Sequence, residues 1–253
     1  MTASRKFSGR HWALAASLAL FVLLLFAPGA LRPLFEPLVQ SGAPPIYDRG
    51  TFLELTVSHV LTVLAAGLVA FAVAVALAIL VTRRAGEEYM PLARTLANLG
   101  QTFPPVAMLA VAVPLVGFGF QPTFIALVAY GLLPIFENTV TGLRTLSPHV
   151  VEAAQGMGMS PRRILLSVEL PLALPLILAG LRISTIINIS TAAIGSTVGA
   201  RGLGEIIIAG LSTNNLAFVL QGGILVALLA ILFNQALGAL ERRAARHQAR
   251  SEV

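Results

Sequence analysis

The chain has 253 residues, 57% of them hydrophobic and only 11% charged, with a net charge of +6 and no cysteine. A water-soluble domain carries about 25% charged residues, so the mean hydropathy of +0.86 reads as an integral membrane protein, and the missing cysteines exclude a disulfide framework or a thiolate metal site. The pI near 11.0 invites a nucleic-acid reading, but the basic residues flank apolar runs and form no stripe; the expected contact is membrane lipid, with no nucleic acid.

A bilayer core takes about 20 apolar residues per helix, and six segments qualify in chain order. The first runs from Trp12 to about Leu31 and the second from Val57 to Val81, free of charge. The third spans about Phe103 to Phe118 and the fourth about Pro122 to Phe136. Only Gly119-Phe120-Gln121 separates these two, and Pro122 suits a first helical turn, so a tight helical hairpin is expected. The fifth runs from about Leu172 to Val198 and the sixth from about Phe218 to Leu240. Residues 32–55, with Pro44-Pro45, read as a turn-rich outer connector. The first run has a second reading, as a cleaved signal peptide ending near Ala27-Pro28-Gly29-Ala30. No internal repeat is visible.

Basic residues divide sharply between the two sides. Arg5, Lys6, Arg10, Arg83, Arg84, Arg94, Arg144, Arg162, Arg163, Arg242, Arg243, Arg246 and Arg250 fall on one side, thirteen in all. Arg32, Arg49 and Arg201 are the three on the other, and Arg182 lies within a span. The positive-inside rule places both termini in the cytoplasm, and an even number of spans agrees.

Enzyme chemistry finds little support. The single lysine, Lys6, has no P-loop around it. His11, His59, His149 and His247 include no pair in i, i+4 register for a zinc helix. No Gly-x-Ser-x-Gly elbow occurs, and Asp48, the only aspartate, lies in the outer loop, which excludes an intramembrane aspartyl dyad.

The loop between the fourth and fifth spans is the most informative stretch. Ser147-Pro148 and Ser160-Pro161 each pair a favoured N-cap with a favoured first helical residue. A short helix should run through Glu152, Ala153 and Ala154 and break at Gly156 and Gly158. A second should carry Arg162 and Arg163 into Leu170-Pro171. Glu152 suits the helix dipole, the two alanines permit close backbone approach, and Gly158 permits a positive φ. Such a helix–turn–helix is shaped to lie on the cytoplasmic membrane face and be gripped by another protein; a plain loop with Glu152 solvated is the alternative on physics alone.

The spacing Glu152-Ala153-Ala154, Gly158, Val168, Leu170-Pro171 resembles the signature of the permease subunits of type I ABC importers, with Val168 where that family usually has isoleucine. The resemblance runs from about Thr56 onward. Gln101-Thr102-Phe103-Pro104-Pro105, Val113-Pro114-Leu115-Val116-Gly117-Phe118-Gly119, and Ala192-Ala193-Ile194-Gly195 leading to Gly199-Ala200-Arg201-Gly202-Leu203-Gly204 are similar to the osmoprotectant branch, which imports glycine betaine, choline or carnitine. Relatives commonly carry glycine where Arg201 stands.

The resemblance implies an all-α polytopic membrane protein of six transmembrane helices, the type I ABC importer permease (MetI-like) fold, in a bacterial inner membrane. Residues 1–55 would form the N-terminal span and outer loop. Residues 56–240 would form the permease core, with coupling loop 144–171, and residues 241–253 a basic tail. The chain would be a transporter subunit rather than an enzyme, holding no cofactor of its own; ATP and Mg would be bound by a partner ATPase gripping Glu152, Ala153, Ala154, Gly158, Leu170 and Pro171. The remaining partners would be a second permease copy or sister permease and a periplasmic or lipid-anchored binding protein. A permease of the same fold for amino acids or another small solute is the near alternative; a passive channel or membrane scaffold is the alternative of another class.

The fifth span is the least apolar, with Arg182, Ser184, Thr185, Asn188, Ser190, Thr191, Ser196 and Thr197. Ionisable residues in spans usually face a partner or a watery cavity. Arg182, Ser184, Asn188 and Thr191 are therefore candidates for the translocation pathway, the last three at i, i+4, i+7 spacing. Against this, Arg182 could snorkel to headgroups and the hydroxyls could be packing residues. Glu137 and Asn138 are expected to pair with a cytoplasmic arginine. An aromatic cage for a quaternary ammonium solute is not visible: Trp12, Tyr47, Tyr89 and Tyr130 are scattered.

Overall fold

The computed structural model describes residues 8–40 and 42–251. Arg5, Lys6 and the side chains of Arg10 and Arg250, four of the thirteen basic residues counted above, lie outside the described residues. Within them the chain forms α1 (Ser8–Phe26), α2 (Arg32–Phe35), α3 (Phe52–Thr82), α4 (Met90–Thr102), α5 (Pro105–Val116), α6 (Phe120–Arg144), α7 (Pro148–Gly156), α8 (Pro161–Ile164), α9 (Leu170–Gly195), α10 (Gly204–Ser212) and α11 (Leu216–Ser251), and no strand.

Four stretches are long and apolar enough to cross a membrane: Phe52–Thr82, Phe120–Arg144, Pro161–Val198 and Leu216–Arg246. Two bent pairs bring the number to six when each is one span. The first expected span is shorter than the apolar run that encodes it. α1 stops at Phe26, and the Pro28–Leu38 stretch leaves at 110°, because Pro28 cannot donate to the helical ladder. The third expected span is corrected more deeply. Its helix α5 covers only Pro105–Val116 and meets the Glu87–Thr102 stretch at 98°. Pro104 forces the residue before it out of helical geometry, and Phe103 is extended, with φ −87° and ψ 139°. The hairpin into α6 is present, with Gly117 and Gly119 at φ +83° and +104°. The fourth and sixth spans reach further than their apolar cores, to Arg144 and Ser251. α10, nine residues long, is too short to announce itself as a span.

The chain folds as two compact units. One comprises residues 1–64, 105–125 and 189–233; the other 65–104, 126–188 and 234–253.

In the first unit, the loop before α3 is strapped to the start of α11. Gln221 accepts a hydrogen bond from the Tyr47 N–H at 3.1 Å and donates to the Pro45 carbonyl at 2.7 Å. Asn215 donates to the Pro44 carbonyl at 2.9 Å. The Tyr47 ring packs against Phe52 and edge-on to Phe218. Buried His59 bonds the Ile189 carbonyl at 3.0 Å, and exposed Arg201 lies 3.7 Å from Glu54.

In the second unit, α3 offers a face of small residues at every fourth position, Ala70, Ala74 and Ala78, all fully buried. Small side chains let helix backbones approach closely in lipid, where the hydrophobic effect no longer drives helices together. Met90, Ala93 and Ala97 of α4 and Ile135, Phe136 and Val140 of α6 share this cluster. α6 and α9 approach so closely at Gly180 that a Cβ there would lie 2.7 Å from the Pro134 carbonyl oxygen.

Candidate functional site

The Ser147–Pro171 segment is the helix–turn–helix its sequence predicts. Pro148 begins α7 after an extended Ser147, and Pro161 begins α8 after an extended Ser160. Neither serine hydroxyl makes the expected capping bond. The proline, whose φ is preset for a helix, and the serine carbonyls, which accept the Val150 and Ile164 N–H groups at 3.1 and 2.9 Å, start each helix instead.

The expected break at Gly156 and Gly158 is made by Gly158 alone, since Gly156 stays helical. Gly158 has φ +77°. The Met159 N–H donates to the Ala154 carbonyl at 3.1 Å, and the Gly158 N–H to the Gln155 carbonyl at 2.9 Å. This pair of bonds is a Schellman closure, whose left-handed residue is usually glycine.

The surface of this element is open. Glu152, Ala153, Gly156, Met157 and Gly158 are exposed, and within α7 only Ala154 turns inward. Met157, three-quarters exposed, caps the tip with an apolar side chain. Glu152 lies 3.5 Å from His149, both in solvent. A Cβ at Gly158 would meet none of the described residues within 4 Å.

After α8 the chain makes a five-residue π-turn, Leu165–Glu169, and enters α9 at Leu170-Pro171. Sequence reasoning missed Glu169, the unspecified residue of the motif. It is buried and accepts a hydrogen bond from Arg83 at 2.6 Å. No local pattern announces a partner 86 positions away. The expected pairing of Glu137 is present: Arg94 forks onto it at 2.6 and 2.9 Å. Asn138 instead donates to the Pro134 carbonyl, one turn back, at 2.8 Å.

Further along α9, Arg182 lies 3.3 Å from Glu241 of α11, both partly buried. Gly238 leaves the room, since a Cβ there would sit 3.1 Å from the guanidinium. Ser184 and Asn188, one turn apart, are buried, and among the described residues neither the Ser184 hydroxyl nor either Asn188 amide atom has a hydrogen-bond partner. A Cβ on Gly131 of α6 would lie 2.8 Å from Ser184 Oγ and 3.1 Å from Asn188 Nδ2. Thr191 is also buried. Among the described residues no cluster of three or more histidine and acidic side chains is placed to hold a metal.

Residues 74–246 match the model of the family described as "Binding-protein-dependent transport system inner membrane component". The choline transport system permease protein OpuBB of Bacillus subtilis is 37% identical over 196 residues, 78% of this chain and 89% of that one. The glycine betaine/carnitine/choline transport system permease protein OpuCD of the same organism is 39% identical over 208 residues, 82% of this chain and 90% of that one. Among solved structures, a chain of the inward-facing MetNI methionine ABC transporter superposes with a TM-score of 0.68 at 22% identity, covering 76% of this chain and 95% of that one; this likeness concerns the fold.

Proposed function

The chain belongs to the family of binding-protein-dependent transport system inner membrane components, and we propose that it is the permease of an ATP-driven importer of a small osmolyte such as glycine betaine, choline or carnitine. The similarity to the choline and glycine betaine/carnitine/choline permeases across four-fifths of the chain carries this reading. The subunit moves solute rather than transforming it.

In this reading α7 seats in a groove of a separate ATPase, which binds ATP and Mg. Glu152, Ala153, Ala154, Gly158, Leu170 and Pro171 form the coupling element. Ala153 permits close approach, buried Ala154 fixes α7 onto its own chain, and the Gly158 turn sets the angle at which α8 leaves. Closure of the ATPase pair pushes α7, and the continuous Pro161–Val198 stretch conveys the push along α9, where Arg182, Ser184, Asn188 and Thr191 line or gate the path. A second copy or a sister permease completes the pathway, and a periplasmic or lipid-anchored binding protein delivers the solute. The basic loops that carry Arg83, Arg84, Arg94, Arg144, Arg162 and Arg163 support a cytoplasmic coupling face and cytoplasmic termini in a bacterial inner membrane.

Selection of a quaternary ammonium group by an aromatic cage falls to the binding protein. Tyr47 is packed against Phe52 and Phe218, and the Tyr130 hydroxyl donates to the Phe103 carbonyl.

The test is uptake of labelled choline, glycine betaine and carnitine by proteoliposomes holding the complex purified through this chain. Uptake that requires both ATP and the binding protein is expected. Equal uptake without ATP would make the chain a channel, and ATP-driven uptake of amino acids alone would overturn the osmolyte assignment.

A further inference from the structure

We infer that the loop of residues 83–89 is a strut that carries motion of the coupling element to α3, and that the Arg83–Glu169 ion pair is its working joint. The inference rests on the coupling role proposed for residues 147–171.

Both ends of that element are fastened to this one loop. At the entry, Arg144 at the end of α6 donates to Glu87 at 3.1 Å. At the exit, Glu169 at the end of the π-turn accepts from Arg83 at 2.6 Å. The two joints are unequal. Arg144 and Glu87 are roughly half-exposed or more, and water screens such pairs to little net effect. The Glu169 side chain is only 10% exposed. A carboxylate withdrawn from water that far needs a fixed partner, so Arg83 must follow wherever Glu169 moves.

The π-turn is what turns Glu169 inward. In a regular α-helix residues seven apart share a face, so Glu169 would lie under Arg162, which is exposed. The wider turn shifts the phase between them, and π-turns concentrate at functional positions. Arg83 follows directly on Thr82, the last residue of α3. The loop beyond it is stiff: Arg83, Gly86 and Tyr89 N–H groups each bond the carbonyl three residues back. A Cβ on Gly86 would lie 2.2 Å from the Leu80 carbonyl oxygen, so the turn is closed against α3 itself. A push on α7 thus reaches α3 without passing through α9.

The experiment uses the assembled complex with its ATPase and binding protein in proteoliposomes. It compares Glu169→Gln, Arg83→Gln, the double variant and Gly158→Asn. ATPase retention, basal hydrolysis and solute moved per ATP are read on each. Glu169→Gln and Arg83→Gln should keep the ATPase and basal hydrolysis while solute per ATP falls about tenfold, inside the range typical of coupling between sites. The double variant should be no worse than either single change, because one joint is lost once. Where a single variant fails to accumulate, the double variant, which leaves no unpaired charge, carries the same reading. Lower yield with an unchanged solute-to-ATP ratio would reduce the pair to a structural staple and overturn the inference. Loss in Gly158→Asn alone would overturn the strut and keep the coupling element. Wild-type behaviour of all four would overturn both.

Discussion

Gly158 separates two ways in which the turn after α7 could serve the proposed coupling. Its φ of +77° is a region where an ordinary side chain costs about 1–2 kcal/mol, with asparagine and aspartate penalised least. None of the described residues lies within 4 Å of a Cβ built there. The cost of substitution inside the chain is therefore backbone strain alone, and the two Schellman bonds at Gly158 and Met159 oppose unwinding. If the bend were all that mattered, Gly158→Ala would be the harmful change and Gly158→Asn the mild one. If the tip is pressed into a partner's groove, size decides, and the order reverses. We expect the second order. Gly158→Asn and Gly158→Asp should reach the membrane in normal amount but lose ATPase on purification, with Gly158→Asp abolishing ATP-driven uptake. A tenfold weaker grip corresponds to about 1.4 kcal/mol, comparable to the strain itself, so the order of the variants, and not the size of any one loss, is the diagnostic. Uptake and ATPase retention of Gly158→Asn at the wild-type level, with Gly158→Ala impaired, would refute the seating of this tip in a partner.

Three further outcomes follow from the packing. Gly180→Val should lower the melting temperature in detergent by an overpacking cost of about 1–3 kcal/mol, since its Cβ would lie 2.7 Å from the Pro134 carbonyl oxygen; an unchanged melting temperature would contradict the α6–α9 approach. Gln221→Ala removes both bonds that hold the Pro45–Tyr47 backbone, about 0.5–1.5 kcal/mol each, and should speed tryptic cleavage at exposed Arg49 with little effect at Arg84. Asn188→Leu deletes a buried amide that has no partner among the described residues, so thermal stability should hold or rise; uptake should nonetheless fall if Asn188 meets the solute, and normal uptake would remove it from the pathway.

The helix–turn–helix of residues 147–171 was legible because its signals are local: two Ser-Pro starts and one glycine at a fixed distance. The bends at Ala27-Pro28 and Phe103-Pro104 were not, because an apolar run reports how much hydrocarbon it can cover and nothing about direction. A proline at the edge of such a run reads equally as a helix start or as a corner. Glu169 was invisible for another reason. Its burial depends on the phase of the π-turn and on an arginine at the far end of α3, and neither leaves a mark within the motif. The bidentate partner of Glu137 was expected as an arginine in kind, but only the fold selects Arg94.

The polar content of α9 divides along the same line. A lone arginine at the middle of a span costs about 2.5–3.5 kcal/mol, and the demand for a watery cavity around Arg182 rested on that cost. Glu241 at 3.3 Å, with Gly238 opposite, supplies a partner inside the protein, so accommodating Arg182 requires no cavity. Ser184 and Asn188 are the reverse case. Their buried polar atoms have no partner among the described residues, and each such group costs about 1–3 kcal/mol. Alanine would pack against Gly131 at lower cost, as Ala70, Ala74 and Ala78 do along α3. Packing alone therefore accounts for Arg182 better than for its two neutral neighbours, and the second use that the translocation reading assigns to this span is best sought at Ser184 and Asn188.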